Sequence, residues 1–148
     1  MKRYIVIIGI LLVIIYVLDF SREEKLEAAL YEVMSQRIEI IEKAAFGETS
    51  YDEAQKLLVD ITQNPLLKSD LQIIENLDEY PTEIDRVQSF KIGQIRNLSV
   101  IGNNICFSAE IVWNMEGLNG PYIEESIYFF EMKRDKNKYI LYDYYPIN

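Results

Sequence analysis

The fifteen residues 4–18, YIVIIGILLVIIYVL, contain no charged side chain. A segment that is apolar on every side has no face to offer water, so a lipid environment suits it better than a globular surface. At 1.5 Å per residue the run covers about 22 Å as a helix, short of the roughly 30 Å hydrocarbon core. Tyr4, Phe20 and the snorkelling stems of Lys2 and Arg3 lengthen the effective span. Lys2 and Arg3 precede the run and Asp19 follows it. That bias predicts the amino end inside and the carboxyl end outside. The expectation is a single-pass membrane anchor with a short cytoplasmic tail over residues 1–20. Its apolar surface comes from Tyr4, Ile5, Val6, Ile7, Ile8, Leu11, Leu12, Val13, Ile14, Ile15, Val17 and Leu18. Residues 21–148 then form an extracytoplasmic domain.

Two other readings compete. The run has the length of a signal-peptide core, but the following DFSREEKLEAAL offers neither an A-x-A cleavage site nor a lipobox cysteine. Type IV pilins also begin with a hydrophobic helix leading into a domain. Their processing site pairs a glycine with a glutamate five residues into the mature chain. Gly9 is followed by ILLVIIYVL, without that glutamate. An uncleaved anchor is the favoured expectation.

The 128 residues beyond the anchor suffice for one ordinary domain with its own core. Without Lys2, Arg3 and Asp19 the chain keeps 13 basic and 23 acidic side chains, a net charge of −10. A domain this acidic is expected to repel nucleic acid and anionic lipid headgroups. The single cysteine, Cys106, forms no internal disulfide, and there is no histidine. The missing imidazole counts against hydrolase triads and zinc sites. Abundant Ile, Tyr, Asn, Lys and Glu fit an AT-rich bacterial genome, and the expected location of the anchor is a bacterial cytoplasmic membrane.

Ser21-Arg22-Glu23-Glu24 reads as a capping box opening a first helix that runs from about Arg22 to Phe46 and stops at Gly47. Its start is expected to stand off the membrane as a stalk. Its stripe of Leu26, Leu30 and Val33 either packs on the domain's own sheet, the favoured reading, or pairs with a second copy. Ser50-Tyr51-Asp52-Glu53 caps a second helix ending near Gln63. Asn64-Pro65 opens a third, with proline at the first helical position, and residues 78–86 are a connector. The period then changes to two. Phe90, Ile92, Leu98 and Val100 mark a first strand with Gly93 at a bulge. Ile105, Phe107, Ala109, Ile111, Trp113 and Met115 share one face of a second strand. Residues 122–133 form a third strand with bulk on both faces, and 139–145 a fourth. The fold class is therefore α+β: two or three helices packed on a four-stranded antiparallel meander.

The segment 127–145, IYFFEMKRDKNKYILYDYY, has a long strand, a charged turn and a short aromatic last strand. Coming after the helices, it resembles the cystatin-like and nuclear-transport-factor-like cone folds. Membrane-anchored members of that kind, such as the bitopic subunits of type IV secretion and conjugation machines, share the plan of one helix and an outer cone domain. The resemblance implies protein–protein assembly at the membrane. It transfers no site residue.

Three constellations are candidates for chemistry. Glu75, Asp78, Glu79, Glu83 and Asp85 cluster as calcium ligands do, but lack EF-hand spacing and are interrupted by Pro81, so a solvated connector is preferred and no metal is expected. Tyr122, Tyr128, Phe130, Tyr139, Tyr142, Tyr144 and Tyr145 supply more aromatic bulk than one helical layer can cover. Some of them should line a concavity or a partner surface. Asp143 among tyrosines is a candidate base, but it has no histidine partner, and Cys106 has none to activate it. The reading is a membrane-anchored interaction domain of an envelope or secretion assembly, not an enzyme. Its expected partners are the bilayer, other envelope proteins and a possible second copy, without nucleic acid or cofactor. The alternatives are a small-molecule or peptide binder using the tyrosines, and a cone-fold enzyme.

Overall fold

The structure, a computed structural model, describes the backbone of residues 2–79 and 85–147 and the side chains of 22–76 and 85–147. The elements are α1 (Lys2–Ala45), α2 (Tyr51–Val59), α3 (Leu66–Glu79), β1 (Arg86–Ile101), β2 (Asn104–Gly117), β3 (Gly120–Asp135) and β4 (Lys138–Pro146). The strands form one antiparallel sheet in the order β1-β2-β3-β4. The chain is thus α+β, three helices on a four-stranded meander.

The expected helix start at Ser21 is not used. The backbone stays helical from Lys2 through Ser21 to Ala45. No proline or glycine lies between Ile10 and Phe46, so extending an existing helix is cheaper than nucleating a new one. Gly47 does end it, at φ 70°, where only glycine is unstrained. The Glu48 N–H donates to the Lys43 carbonyl (2.8 Å) and the Gly47 N–H to that of Ala44 (3.1 Å), the Schellman pattern. In α2 the Ser50 hydroxyl accepts the Glu53 N–H, as its capping box predicts. The third helix starts at Leu66, one residue later than expected. The side chains of residues 77–79, all of residues 80–84 and the anchor side chains lie outside the described set.

Leu26, Leu30, Val33 and Met34 of α1 are buried against Phe90, Ile95, Phe107, Ile111, Phe130 and Leu141 of the sheet. The stripe packs on its own sheet, and among the described side chains the core begins at Leu26. Phe107, Phe130 and Tyr144 stack as one row across β2, β3 and β4, with ring centroids 5.3 and 5.6 Å apart. A smaller cluster of Ala54, Leu58 and Ile74 joins α2 and α3 to Ile40, Ile41 and Ala44 of α1. Between those helices the chain pairs with the edge of β4. The Leu141 N–H donates to the Ile61 carbonyl (2.9 Å) and the Gln63 N–H to that of Leu141 (3.0 Å). At the other edge β1 is irregular, with register shifts after Val87, Ile92 and Arg96. The second of these spans Gly93, where a bulge is expected. Such breaks discourage edge-to-edge pairing.

Candidate interaction surface

The core that the helices cover lies on one side of the sheet, and among the described residues no helix packs on the opposite side, where Ser108 is buried. Register fixes what it displays. On β2 and β3 the residues alternating with the core set are Cys106, Ser108, Glu110, Val112 and Asn114, opposite Glu131, Phe129, Ile127, Glu125 and Ile123. On β4, Asp143 pairs with Glu131 and Tyr145 with Phe129. The Phe129 and Tyr145 rings lie 5.4 Å apart. Beyond β4 the Ile147 N–H donates to the Ile127 carbonyl (2.8 Å), which carries the ladder one residue further. Ile127, Phe129, Tyr145 and Ile147 therefore form one apolar patch, with Ile123, 69% exposed, two residues along β3 from Glu125. Glu110, Glu125, Glu131 and Asp143 frame it. An apolar centre with a charged rim is the anatomy of a protein-binding surface.

The seven aromatic residues singled out in the sequence do not share one surface. Tyr128 and Phe130 are buried in the core under α1. The Tyr128 hydroxyl accepts the Trp113 indole N–H at 3.2 Å. Tyr144 lies on the helix-facing side beside Arg37, and Tyr139 packs partly against the core. Tyr142 is exposed where the register slips between Glu131 and Met132. Tyr122 is exposed at the far end of β3, where its hydroxyl donates to Asp85 Oδ2 at 2.6 Å. That bond pushes the phenol up to about 12. Of the seven, only Tyr145 belongs to the outer patch.

The other candidates can be placed as well. Cys106 is half-buried on the outer face, where burial and then Glu131 raise its thiol pKa, the opposite of what a nucleophile needs. One Asp143 carboxylate oxygen accepts the Tyr144 N–H (2.9 Å). Asp85 is bonded to Tyr122, while Asp78, Glu79 and Glu83 fall outside the described side chains. Among the described residues there is no group of three or more acidic, His or Cys side chains that could hold a metal.

The sequence reading missed a buried polar network. The Arg37 guanidinium donates from Nε to Asp70 Oδ2 (2.9 Å) and from Nη2 to Oδ1 (2.5 Å), while Nη1 reaches the Tyr144 hydroxyl (3.1 Å). Its carbon lies 5.3 Å from the Tyr144 ring centroid. The network ties α1, α3 and β4 together, and both charged residues are buried. Burial opposes the Arg37 charge, but Tyr144 and Asp70 outweigh it and hold the group above its ordinary value. Burial pushes the Asp70 carboxyl up while the Arg37 fork pulls it back; the two-pronged contact is that of an ionised carboxylate. Arg37 falls four residues after Val33 and three after Met34, a charged residue at a core position of the stripe. That spacing was the available signal.

No family model matches the chain, and no curated protein sequence matches it. Solved structures do. The intermembrane space region of chloroplast protein ARC6 superposes with a TM-score of 0.53 at 10% identity, over 82% of this chain and 95% of that one. At that identity the match shows a shared fold. A de novo designed β-sheet protein matches at TM-score 0.34 and 16% identity, over 79% of this chain and 86% of that one, too low to carry an argument. What the structure and comparisons establish is an α+β domain of three helices on a four-stranded meander, sharing its fold with an intermembrane space region.

Proposed function

We propose that this chain is a membrane-anchored extracytoplasmic interaction domain, held by residues 4–18 and working through the outer face of its sheet. The observation that carries the reading is the apolar patch of exposed Ile127, Tyr145 and Ile147 around half-buried Phe129, inside a frame of four carboxylates. The partner it suits is a second envelope protein with an apolar surface rimmed by lysine or arginine. Two copies face to face would bring eight carboxylates together, which disfavours self-association through this surface.

The anchor rests on the sequence and on the helical backbone running unbroken from Lys2 into the core. Among the described residues no helix is long and apolar enough to cross a membrane; the side chains of 4–18 lie outside that set. A fold that also occurs in an intermembrane space region is compatible with an outer location. The cone-fold resemblance, and with it a role in a secretion or conjugation assembly, belongs to the same proposal.

A second reading has its own observation. A groove of about 650 Å³ lies between α1, α2 and the β3–β4 turn, lined by Glu32, Glu39, Glu53 and Asp60, by Lys43 and Lys138, and by Tyr139 at one side. Its size suits a small ligand; Lys43 already pairs with Glu39, and the carboxylates that remain outnumber Lys138, which favours a cationic one. The test separates the two. Full-length tagged protein is purified from its host membranes in mild detergent, alongside an Ile123→Glu/Ile127→Glu variant. A stoichiometric partner lost only from the variant supports the sheet face. Recovery of the chain alone in both cases moves the weight to the groove.

A further inference from the structure

The positive charges of this acidic chain are unevenly placed. A concavity of about 520 Å³ at one end of the domain is lined by Arg22, Lys25, Arg134 and Lys136, and no carboxylate lines it. Its remaining wall includes Val100 and Tyr139. Arg22 and Lys25 come from α1, whereas Arg134 lies near the end of β3 and Lys136 in the β3–β4 turn. The Arg134 N–H donates to the Asn103 carbonyl at 2.8 Å, which ties that turn to the β1–β2 turn. Neither ion pair among the described residues involves these four cations. Beside the cavity, Ile101 is 76% exposed at the tip of β1.

Position along α1 gives the cluster its meaning. The helix is continuous, so axial distances follow from residue number. Arg22 lies four residues past Leu18, about 6 Å, and Lys25 lies seven past it, about 10 Å. The headgroup layer on each side of a bilayer is roughly 5–8 Å thick. With the apolar run in the hydrocarbon, Arg22 sits at headgroup depth and Lys25 just beyond it, and the exposed Ile101 tip lies at the same end of the domain. We propose that this cavity binds the phosphate of an anionic lipid headgroup in the membrane that α1 enters, fixing the domain upright on the bilayer. The inference rests on the anchored reading above. Net charge argues against anionic lipid for the domain as a whole, but screening over about 8 Å at physiological salt confines the competition to nearby groups. Glu23 and Glu24 lie between Arg22 and Lys25 in the chain, but neither lines the cavity, which the four cations do. Asp135, the last residue of β3, is the nearest acidic residue in sequence to Arg134 and Lys136 and is also outside the lining.

The test uses the full chain in nanodiscs of phosphatidylcholine alone, or of equal phosphatidylcholine and phosphatidylglycerol. Amide exchange is followed at 101–105 and 134–138. One cation near an anionic surface is worth about fivefold in partitioning. The expected result is exchange at both turns slowed about fivefold or more by phosphatidylglycerol, with the difference abolished in Arg22→Gln/Lys25→Gln/Arg134→Gln/Lys136→Gln. Equal exchange in the two discs overturns the proposal, as does a difference that survives the fourfold variant. Equal protection from inorganic phosphate added to phosphatidylcholine discs overturns the lipid as its source. A chain that enters neither disc fails at the incorporation step, which refutes the anchor itself and this inference with it.

Discussion

Removing the Asp70 carboxylate should be among the most damaging single changes available in this fold. Asp70→Ala leaves the Arg37 guanidinium buried, with the Tyr144 hydroxyl as its remaining side-chain partner. Both bonds to Asp70 are lost, at 2.9 and 2.5 Å. Breaking a buried pair from one side costs about 3–5 kcal/mol, because the orphaned charge keeps its desolvation penalty. A domain of this size has about 5–15 kcal/mol in total. Arg37→Met/Asp70→Leu removes both charges and fills the space with apolar groups, so it should lie within about 1 kcal/mol of wild type or above it. Trp113, the chain's one tryptophan, is buried against Phe90 and Tyr128 and reports unfolding by fluorescence. The assay is urea unfolding of a 22–148 fragment, whose core begins at Leu26. With a slope of about 2 kcal/mol/M, Asp70→Ala should move the midpoint down by about 2 M. A loss below about 1 kcal/mol would refute the reasoning, because the guanidinium would then have found water or another partner. A double variant as weak as the single one would refute it equally, since the cost would lie in shape and not in charge.

Further outcomes follow from other sites. Phe130→Ala should cost about 3–5 kcal/mol in the same assay, since it removes the middle ring of the Phe107–Phe130–Tyr144 row. Gly47→Ala should cost about 1 kcal/mol: no atom lies within 4 Å of the added Cβ, so the penalty is the positive φ alone. Tyr122 should ionise near pH 12, seen as tyrosinate absorbance lost from that range in Tyr122→Phe. Its folded pKa is raised, so its bond to Asp85 contributes fully below about pH 10 and is lost as pH climbs through about 12; Asp85→Asn should return the step toward pH 10. Cys106 should react slowly with thiol reagents near neutral pH, and faster in Glu131→Gln, which removes one cause of its raised pKa.

The sequence was most legible where a period repeats. In β2, alternation from Ile105 to Met115 identified the core face, and each of those residues is buried or packed against the core. Gly47, Gly93 and Ser50 marked a helix end, a bulge and a cap because each does one local geometric job. The Ser21 capping box misled, because a local cap competes with continuing a helix already formed on both sides, and continuation won. The aromatic residues misled for a different reason. Composition counts tyrosines, whereas the sheet sorts them by parity and by the slip at Tyr142. Tyr128 and Phe130 went inward, and the patch came instead from Ile127, Phe129 and Ile147. Arg37 and Asp70 are 33 residues apart, and only the packing of α3 on α1 brings them together.

The central claim is that the outer sheet face is the working surface. A photoreactive side chain placed at Ile127 in the full-length protein, in its own host membranes, tests it most directly, with Val59 on α2 as an exposed control. The account predicts a discrete cross-link to one other protein from position 127 and none of equal yield from position 59. No cross-link from 127, or the same product at the same yield from both positions, would contradict it.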